Sequence, residues 1–549
     1  MTHTSVEPSP RSDADTSSAK PGPPNPQRTL AHVLGKACRY NADRIAVVQG
    51  QRHLTYAEMA RQARGIAAWL HGEGLPVGAR VGILSHNCLE FVTSDIACLL
   101  GGFTRVGLGP RLSIEEAAHI CSDAGVGALF VDESWAPRAA EITRRMASDP
   151  VIVSFGAAAP GVLALADLPT SGELAPWPEV AHDAAALIAY TSGTTGHPKG
   201  AVISQRAAFH LSRHIALALS DIDGHESIVH TAPLAHFTFA IMLSSLCYGG
   251  TQYLMPKFDA PALLDLIEAE RINVVPLVPT QLHMVVAEQQ RRRRDVSSVR
   301  CIPYSSSPIA LDQLRAAIGL FGPVFVQLYA QTEVPPPITV LSKNDHQAAM
   351  ARGDTRLLLS AGRPLPYVDV RVVDEHHDDV PTGDLGEILC RSETSMDGYW
   401  NDPAQTAQAF GTDGWLATGD VGRLDADGYL SIVDRRKSLI ISGGYNVYPA
   451  EVEQVIQQLP WVAEVVVVGA PDQLWGEAVT AVVVIDDSVS GRSSTALSEE
   501  LIAHCRAHLA GYRVPKRVDY RTALPRNATG KVLTRLVRES YWPAHLRRV

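Results

Sequence analysis

Tyr190-Thr191-Ser192-Gly193-Thr194-Thr195-Gly196-His197-Pro198-Lys199-Gly200 follows the apolar run Ala185-Ala186-Leu187-Ile188-Ala189. Glycines let successive backbone N–H groups turn toward one anion, hydroxyls add donors, and Lys199 adds a positive charge. The stretch is a phosphate-loop candidate; the other reading is a polar hairpin loop built from common loop residues. It is not a Walker A loop, because two residues separate Gly196 from Lys199 and Gly200 stands where a hydroxyl should follow the lysine. After it come Ala201-Val202-Ile203-Ser204 and a segment with Ala207, Ala208, Leu211, Ile215 and Ala218 at helical spacing. This predicts a glycine loop between two short strands with a helix behind it, Ser204 serving as N-cap.

Outward from the loop, strand and helix patterns alternate. Helices are expected near 29–34, 55–70 and 91–100, and strands at 45–48, 81–84 and 126–131, which favours an α/β domain with a largely parallel sheet. Residues 1–27 read as a disordered tail, since Pro8, Pro10, Pro21, Pro23, Pro24 and Pro26 interrupt any helix and apolar groups are few. The character changes at Asp434-Arg435-Arg436-Lys437, a charged break followed by a second alternating unit. The expected organisation is therefore a tail (1–27), a large N-terminal domain of sheets and helices (28–434) and a small C-terminal α+β domain (435–549).

Composition narrows the function. A chain of 549 residues, 46% hydrophobic and 19% charged, has ample length for more than one buried core. The net charge of −10 argues against non-specific nucleic-acid binding, which needs a basic excess. Arg291-Arg292-Arg293-Arg294 is the one basic run and reads as a solvated helix end. The eight cysteines are scattered with no Cys-x-x-Cys pair, which suits a reducing cytoplasm rather than a zinc site or a disulfide framework. No stretch has the length and apolarity of a membrane span, and the start lacks the apolar core of a signal peptide. Asp374-Glu375-His376-His377-Asp378-Asp379 resembles a metal cluster in composition, but lies between strand-like runs with Pro381 and Gly383 beside it and reads as an exposed hairpin tip.

Five separated motifs, taken in order, resemble those of the adenylate-forming superfamily of acyl-CoA synthetases, aryl-acid ligases, luciferases and peptide-synthetase adenylation domains. They are the opening loop, Tyr329-Ala330-Gln331-Thr332-Glu333, Thr418-Gly419-Asp420, Asp434-Arg435-Arg436-Lys437 and Pro525-Arg526-Asn527-Ala528-Thr529-Gly530-Lys531. By that resemblance Thr191, Ser192, Gly193, Thr194, Thr195, Gly196 and Lys199 wrap the β- and γ-phosphates of ATP. Tyr329 stacks on adenine, Thr332 bonds the α-phosphate, and Glu333 helps hold Mg²⁺, roles that suit a flat ring, a neutral donor and a hard oxygen ligand. By the same resemblance the Asp420 carboxylate accepts both ribose hydroxyls, Arg435 contacts the ribose, Lys437 is the hinge of a mobile C-terminal domain, and Lys531 is the catalytic lysine. Rotation about the hinge would bring Ser442-Gly443-Gly444-Tyr445-Asn446 to the site, where Gly444 lets a pantetheine thiol approach.

Two departures from the family pattern bear on substrate. Tyr304-Ser305-Ser306-Ser307-Pro308 occupies a segment that commonly reads Gly-Gly-Ala-Pro, and Ala330 replaces a usual glycine. Ser305 and Ser306 should narrow the pocket and make it more polar, Val334-Pro335-Pro336-Pro337 should wall it, and His236 lines it as its family counterpart does. The implied activity is an ATP-dependent acid ligase that forms an acyl-adenylate and then an acyl-CoA on a small or aromatic polar acid, with a carrier protein as another acceptor. Two further readings stand beside it: ATP-dependent activation of nitrite for diazotisation of an aromatic amine, and a catalytically dead relative that only binds nucleotide.

Overall fold

The computed structural model describes residues 28–146, 148–169, 176–191, 198–235, 237–411, 413–435, 438–486, 489, 491–526 and 532–542. It has the mixed α/β architecture expected, a large N-terminal domain and a smaller C-terminal one. The predicted tail lies outside the described residues.

The organising sheet has eight strands, in the order Gly398–Tyr399, Lys199–Ser204, Ala185–Thr191, Thr104–Leu108, Arg80–Leu84, Val126–Val131, Val151–Ser154, Leu163–Ala164. Its members from Ala185–Thr191 to Leu163–Ala164 pair in parallel, as the alternation predicts. Strands in such a sheet are covered on both faces and read as continuous apolar runs, as Val126–Val131 does. The nearly wholly buried helix Leu89–Gly101 packs against helix Tyr56–Gly72, whose Thr55 N-cap forms a capping box with Glu58.

One expectation is corrected. The strand at Ile45–Gln49 does not join the parallel sheet; it pairs with Thr251–Leu254 and Arg52–Thr55 in a separate four-stranded sheet. Local pattern predicts a strand but not its partner, which here lies some two hundred residues away. Two more four-stranded sheets complete the N-terminal part. One carries Phe325–Tyr329, and the other is the antiparallel set Val368–Val373, Gly386–Ser392, Leu416–Leu424, Leu430–Arg435. The Asp374 to Asp379 segment is the exposed turn of that last sheet, with Asp374 Oδ1 accepting from the N–H groups of His376 and Asp378 and Asp379 paired to Arg371.

In the C-terminal part, strands Tyr445–Val447, Ile440–Ser442, Gly476–Ile485, Val462–Asp472 and Arg517–Tyr520 form a five-stranded sheet. Its apolar clusters run from Ile440 to Val537 and share no residue with those of the N-terminal part. The arginine run is only partly solvated. Arg294 has a side chain 1% exposed, with Nε 2.9 Å from Asp265 Oδ1 and Nη1 2.7 Å from Glu288 Oε1. Asp265 from the neighbouring helix Ala260–Glu270 and Glu288 from the helix Pro279–Arg291 that the run ends compensate its burial, so the sequence reading of a solvated end fails at that residue. No helix among the described residues is long and apolar enough to cross a membrane.

Candidate active site

The two ends of the glycine and hydroxyl run lie side by side on paired strands. Strands Ala185–Thr191 and Lys199–Ser204 pair antiparallel, with Thr191 opposite Lys199 and Tyr190 opposite Gly200. Gly200 is required by close packing, since a Cβ there would lie 2.5 Å from Ile188 Cγ2. The helix Gln205–Ala218 follows, and Ser204 caps it by accepting from Ala207 N–H, as predicted. Ser192, Gly193, Thr194, Thr195 and Gly196, which lie between these strands in sequence, are outside the described residues.

Strand Gly398–Tyr399 adds to the outer edge of this strand pair, with Tyr399 opposite Ala201 and Trp400 N–H donating to Gly200 O at 2.7 Å. That pairing carries Tyr399 between two motif residues. Its hydroxyl donates to Glu333 Oε1 at 2.8 Å, and Lys199 Nζ lies 5.4 Å from its ring centroid while donating to Gln405 Oε1 at 2.6 Å. Burial and the Glu333 charge raise the Tyr399 phenol, so it stays a donor.

Asp420 is the second focus. Its nearly buried carboxylate accepts from Tyr329 OH and Gln331 Nε2, both 2.7 Å from Oδ2, while Arg435 Nε lies 3.1 Å from Oδ1. Thr418 supports it by accepting from Asp420 N–H at 3.1 Å and donating to Ile388 O at 2.7 Å. The strands Leu416–Leu424 and Leu430–Arg435 set Asp420 opposite Arg435 in register, which is why motifs distant in sequence meet. Burial, and then the Asp420 charge, push the Tyr329 phenol well above its ordinary value.

These groups line one open cleft of about 3880 Å³, together with Thr191, Lys199, Thr332, Glu333, Pro335, Pro336 and Phe237. The altered serine segment also lines it, with a difference from expectation. Ser305 is buried and its hydroxyl donates to Leu328 O at 2.7 Å, so that donor is spent on backbone rather than offered to a substrate. Ser306 and Ser307 are exposed to the cleft, and Ser306 holds φ 80°, a conformation that suits the glycine more usual there. His236 lies outside the described residues; its neighbours Ala235 and Phe237 line the cleft. The loop at 231–235 is pinned by Asn87, whose Nδ2 donates to Ala232 O at 2.9 Å and whose Oδ1 accepts from Leu234 N–H at 2.9 Å.

Lys437 and Lys531 also lie outside the described residues, but Arg526 and Val532, which bridge to one another on either side of Lys531, line the same cleft as Asp420 and Glu333. Asp434, the first residue of the charged break, accepts from Ala450 N–H at 2.9 Å at the start of helix Pro449–Ile456. Burial raises its carboxyl. Gly444, with φ 83°, stands apart: it occupies the exposed turn between Ile440–Ser442 and Tyr445–Val447 and does not line the cleft. Sequence reading missed Gln331, Tyr399, Gln405 and Asn87. Gln331 sits inside a quoted motif, and Gly398-Tyr399-Trp400 is an aromatic pair after a glycine, a signal that could have been found; Asn87 and Gln405 carry none.

Comparison with known proteins agrees with the geometry. The AMP-binding enzyme family model matches residues 34–400 and the AMP-binding enzyme C-terminal domain model matches 451–531. The chain is 35% identical over 522 residues to the medium/long-chain-fatty-acid–CoA ligase FadD8 of Mycobacterium tuberculosis, covering 93% of this chain and 90% of that one. It is 36% identical over 507 residues to the indoleacetate–CoA ligase of Aromatoleum aromaticum, covering 92% and 96%. Among solved structures, the amide bond synthetase McbA of Marinactinospora thermotolerans superposes with a TM-score of 0.83 at 32% identity, covering 93% of this chain and 99% of that one. The chain belongs to the AMP-binding enzymes, the adenylate-forming superfamily whose motifs converge in its cleft.

Proposed function

We propose that this protein is an ATP-dependent acid ligase that joins a small or aromatic acid bearing a polar group to AMP and then passes the acyl group to CoA. The observation that carries this reading is the convergence of Tyr329, Gln331 and Arg435 on the Asp420 carboxylate, in the cleft that also holds Glu333 and Lys199. A carboxylate held among fixed donors suits ribose hydroxyls; a cation at the exit of a glycine loop suits pyrophosphate.

Attack of a substrate carboxylate on the α-phosphate brings anion toward anion, so cations and donors must stand in place before reaction. Lys531 bridges the two anions, Thr332 donates to the α-phosphate, and Lys199 with the glycine-rich residues 192–196 takes the departing pyrophosphate. Glu333 fits a magnesium ion. Its Oε1 is held by Tyr399 and its Oε2 accepts no hydrogen bond from a described residue, and magnesium takes one or two carboxylates together with substrate phosphates. Such an ion supplies charge neutralisation of the phosphates. We set the domain boundary at 435–437, with Lys437 as hinge and Gly444 as the point of thiol approach once the C-terminal domain rotates. The preference for a polar acid rests on Ser306, Ser307 and the Pro335-Pro336 wall at the cleft.

The test is pyrophosphate release over a panel of acids, amines and nitrite, with and without CoA. Acid-dependent release followed by CoA consumption is expected. Absence of release with every acid sinks the ligase reading, and highest rates with long-chain acids sink the substrate reading alone.

A further inference from the structure

A buried cation lies in the cleft wall, and the chemistry at the nucleotide does not use it. Arg105, on strand Thr104–Leu108, has a side chain 2% exposed yet lines the cleft, among Leu187, Ala189, Ile203, Leu211, Phe239 and Ala240. Its Nε lies 2.5 Å from Asp95 Oδ1, its Nη2 donates to Leu234 O at 2.9 Å, and its guanidinium carbon sits 3.9 Å from the Phe239 ring centroid. Its Nη1 donates to no described residue. Gly107 makes room for it, since a Cβ there would lie 2.4 Å from Nη1.

We propose that Arg105 is a specificity-determining residue that donates from Nη1 to a neutral oxygen acceptor, a ketone or amide carbonyl, on the part of the acid remote from the reacting carboxyl. This rests on the acid-ligase reading above. An apolar tail would bury those N–H groups without an acceptor, and a site built to hydrogen-bond a polar group discriminates strongly against an analogue that lacks it. A second carboxylate fits less well. Asp95 already balances the guanidinium, its Oδ2 is buried without a hydrogen-bond partner, and burial pushes its carboxyl up to about 6. Another anion beside it would leave the buried group with a net negative charge.

The test uses a length series of alkanoic acids, each with its oxo counterpart bearing a remote ketone and its dicarboxylic counterpart. Two readouts are taken on the full chain: pyrophosphate release, and calorimetric binding of the acids themselves. At some chain length the oxo acid should be preferred over the alkanoic acid by about tenfold to a hundredfold, and over the dicarboxylate as well. Gly107→Ala, which displaces the guanidinium, should erase the preference. So should Arg105→Met made together with Asp95→Asn, so that no lone anion stays buried.

Equal handling of oxo and alkanoic acids throughout the series overturns the proposal, as does a preference for the dicarboxylate or no binding of any acid. An equal loss for all acids in the variants, with the preference intact, also overturns it, because Arg105 would then only hold the Leu234 loop. If no acid releases pyrophosphate, the ligase reading falls, while the binding preference still decides the role of Arg105.

Discussion

Replacing Asp420 by Asn tests the nucleotide site most directly, because the structure limits how large the effect can be. A carboxylate offers about four acceptor positions. Tyr329 and Gln331 both occupy Oδ2 and Arg435 occupies one position on Oδ1, which leaves a single acceptor position open. One ribose hydroxyl can therefore bond without displacing anything, whereas the second must displace a protein donor and gains little net. The expected loss is that of one hydrogen bond to a charged group, about 1.5–3 kcal/mol, or roughly tenfold to 150-fold in the Kd for AMP. The assay is calorimetric titration of wild type and Asp420→Asn with AMP and with an AMP analogue lacking both ribose hydroxyls. Wild type should bind AMP more tightly than the analogue, and the variant should bind the two almost alike. Equal weakening of both nucleotides would refute the reasoning, because Asp420 would then act only by positioning Tyr329 and Arg435.

Three other outcomes are expected. Tyr399→Phe removes the hydroxyl that holds Glu333 Oε1 at 2.8 Å, so the magnesium concentration for half-maximal pyrophosphate release should rise and kcat/KM should fall by about tenfold; an unchanged magnesium dependence contradicts the role given to Tyr399. His230 is fully buried, with Nε2 2.9 Å from Gln252 Oε1, and burial lowers it from 6.5 to about 4. The unfolded chain therefore binds a proton that the folded chain refuses: stability is unaffected above pH 6.5 and falls as pH drops toward 4. The loss should reach roughly 3 kcal/mol in urea unfolding and be smaller in His230→Gln, and identical pH slopes for the two proteins would exclude the effect. Ser306 at φ 80° carries left-handed strain of about 1–2 kcal/mol that glycine relieves, offset by about 0.4–1 kcal/mol of extra unfolded-state entropy. Ser306→Gly should thus be neutral to about 1.6 kcal/mol stabilising and Ser306→Val destabilising in the same assay, and the opposite order would show that the strain is absent.

The sequence by itself determined what depends on near neighbours. The Ser204 cap, the helix expected at 55–70, the strand pattern at Val126–Val131 and the order of the five motifs were legible, because periodicity, caps and turns act over a few residues. Only the tertiary structure decided which donor meets which acceptor. Tyr399 reaches Glu333 across 66 positions, Gln331 reaches Asp420 across 89, and Arg105 reaches Leu234 across 129. Those distances are closed by sheet order and register, and a run such as Arg291 to Arg294 reads as solvated until the helix carrying Asp265 packs against it and Arg294 folds back onto Glu288. For the same reason Ser305 reads as a pocket donor until strand Phe325–Tyr329 brings Leu328 O to its hydroxyl. Residue type dictates what a side chain can do, but burial and the partners that packing supplies decide whether that capacity is spent on the fold or left for a substrate.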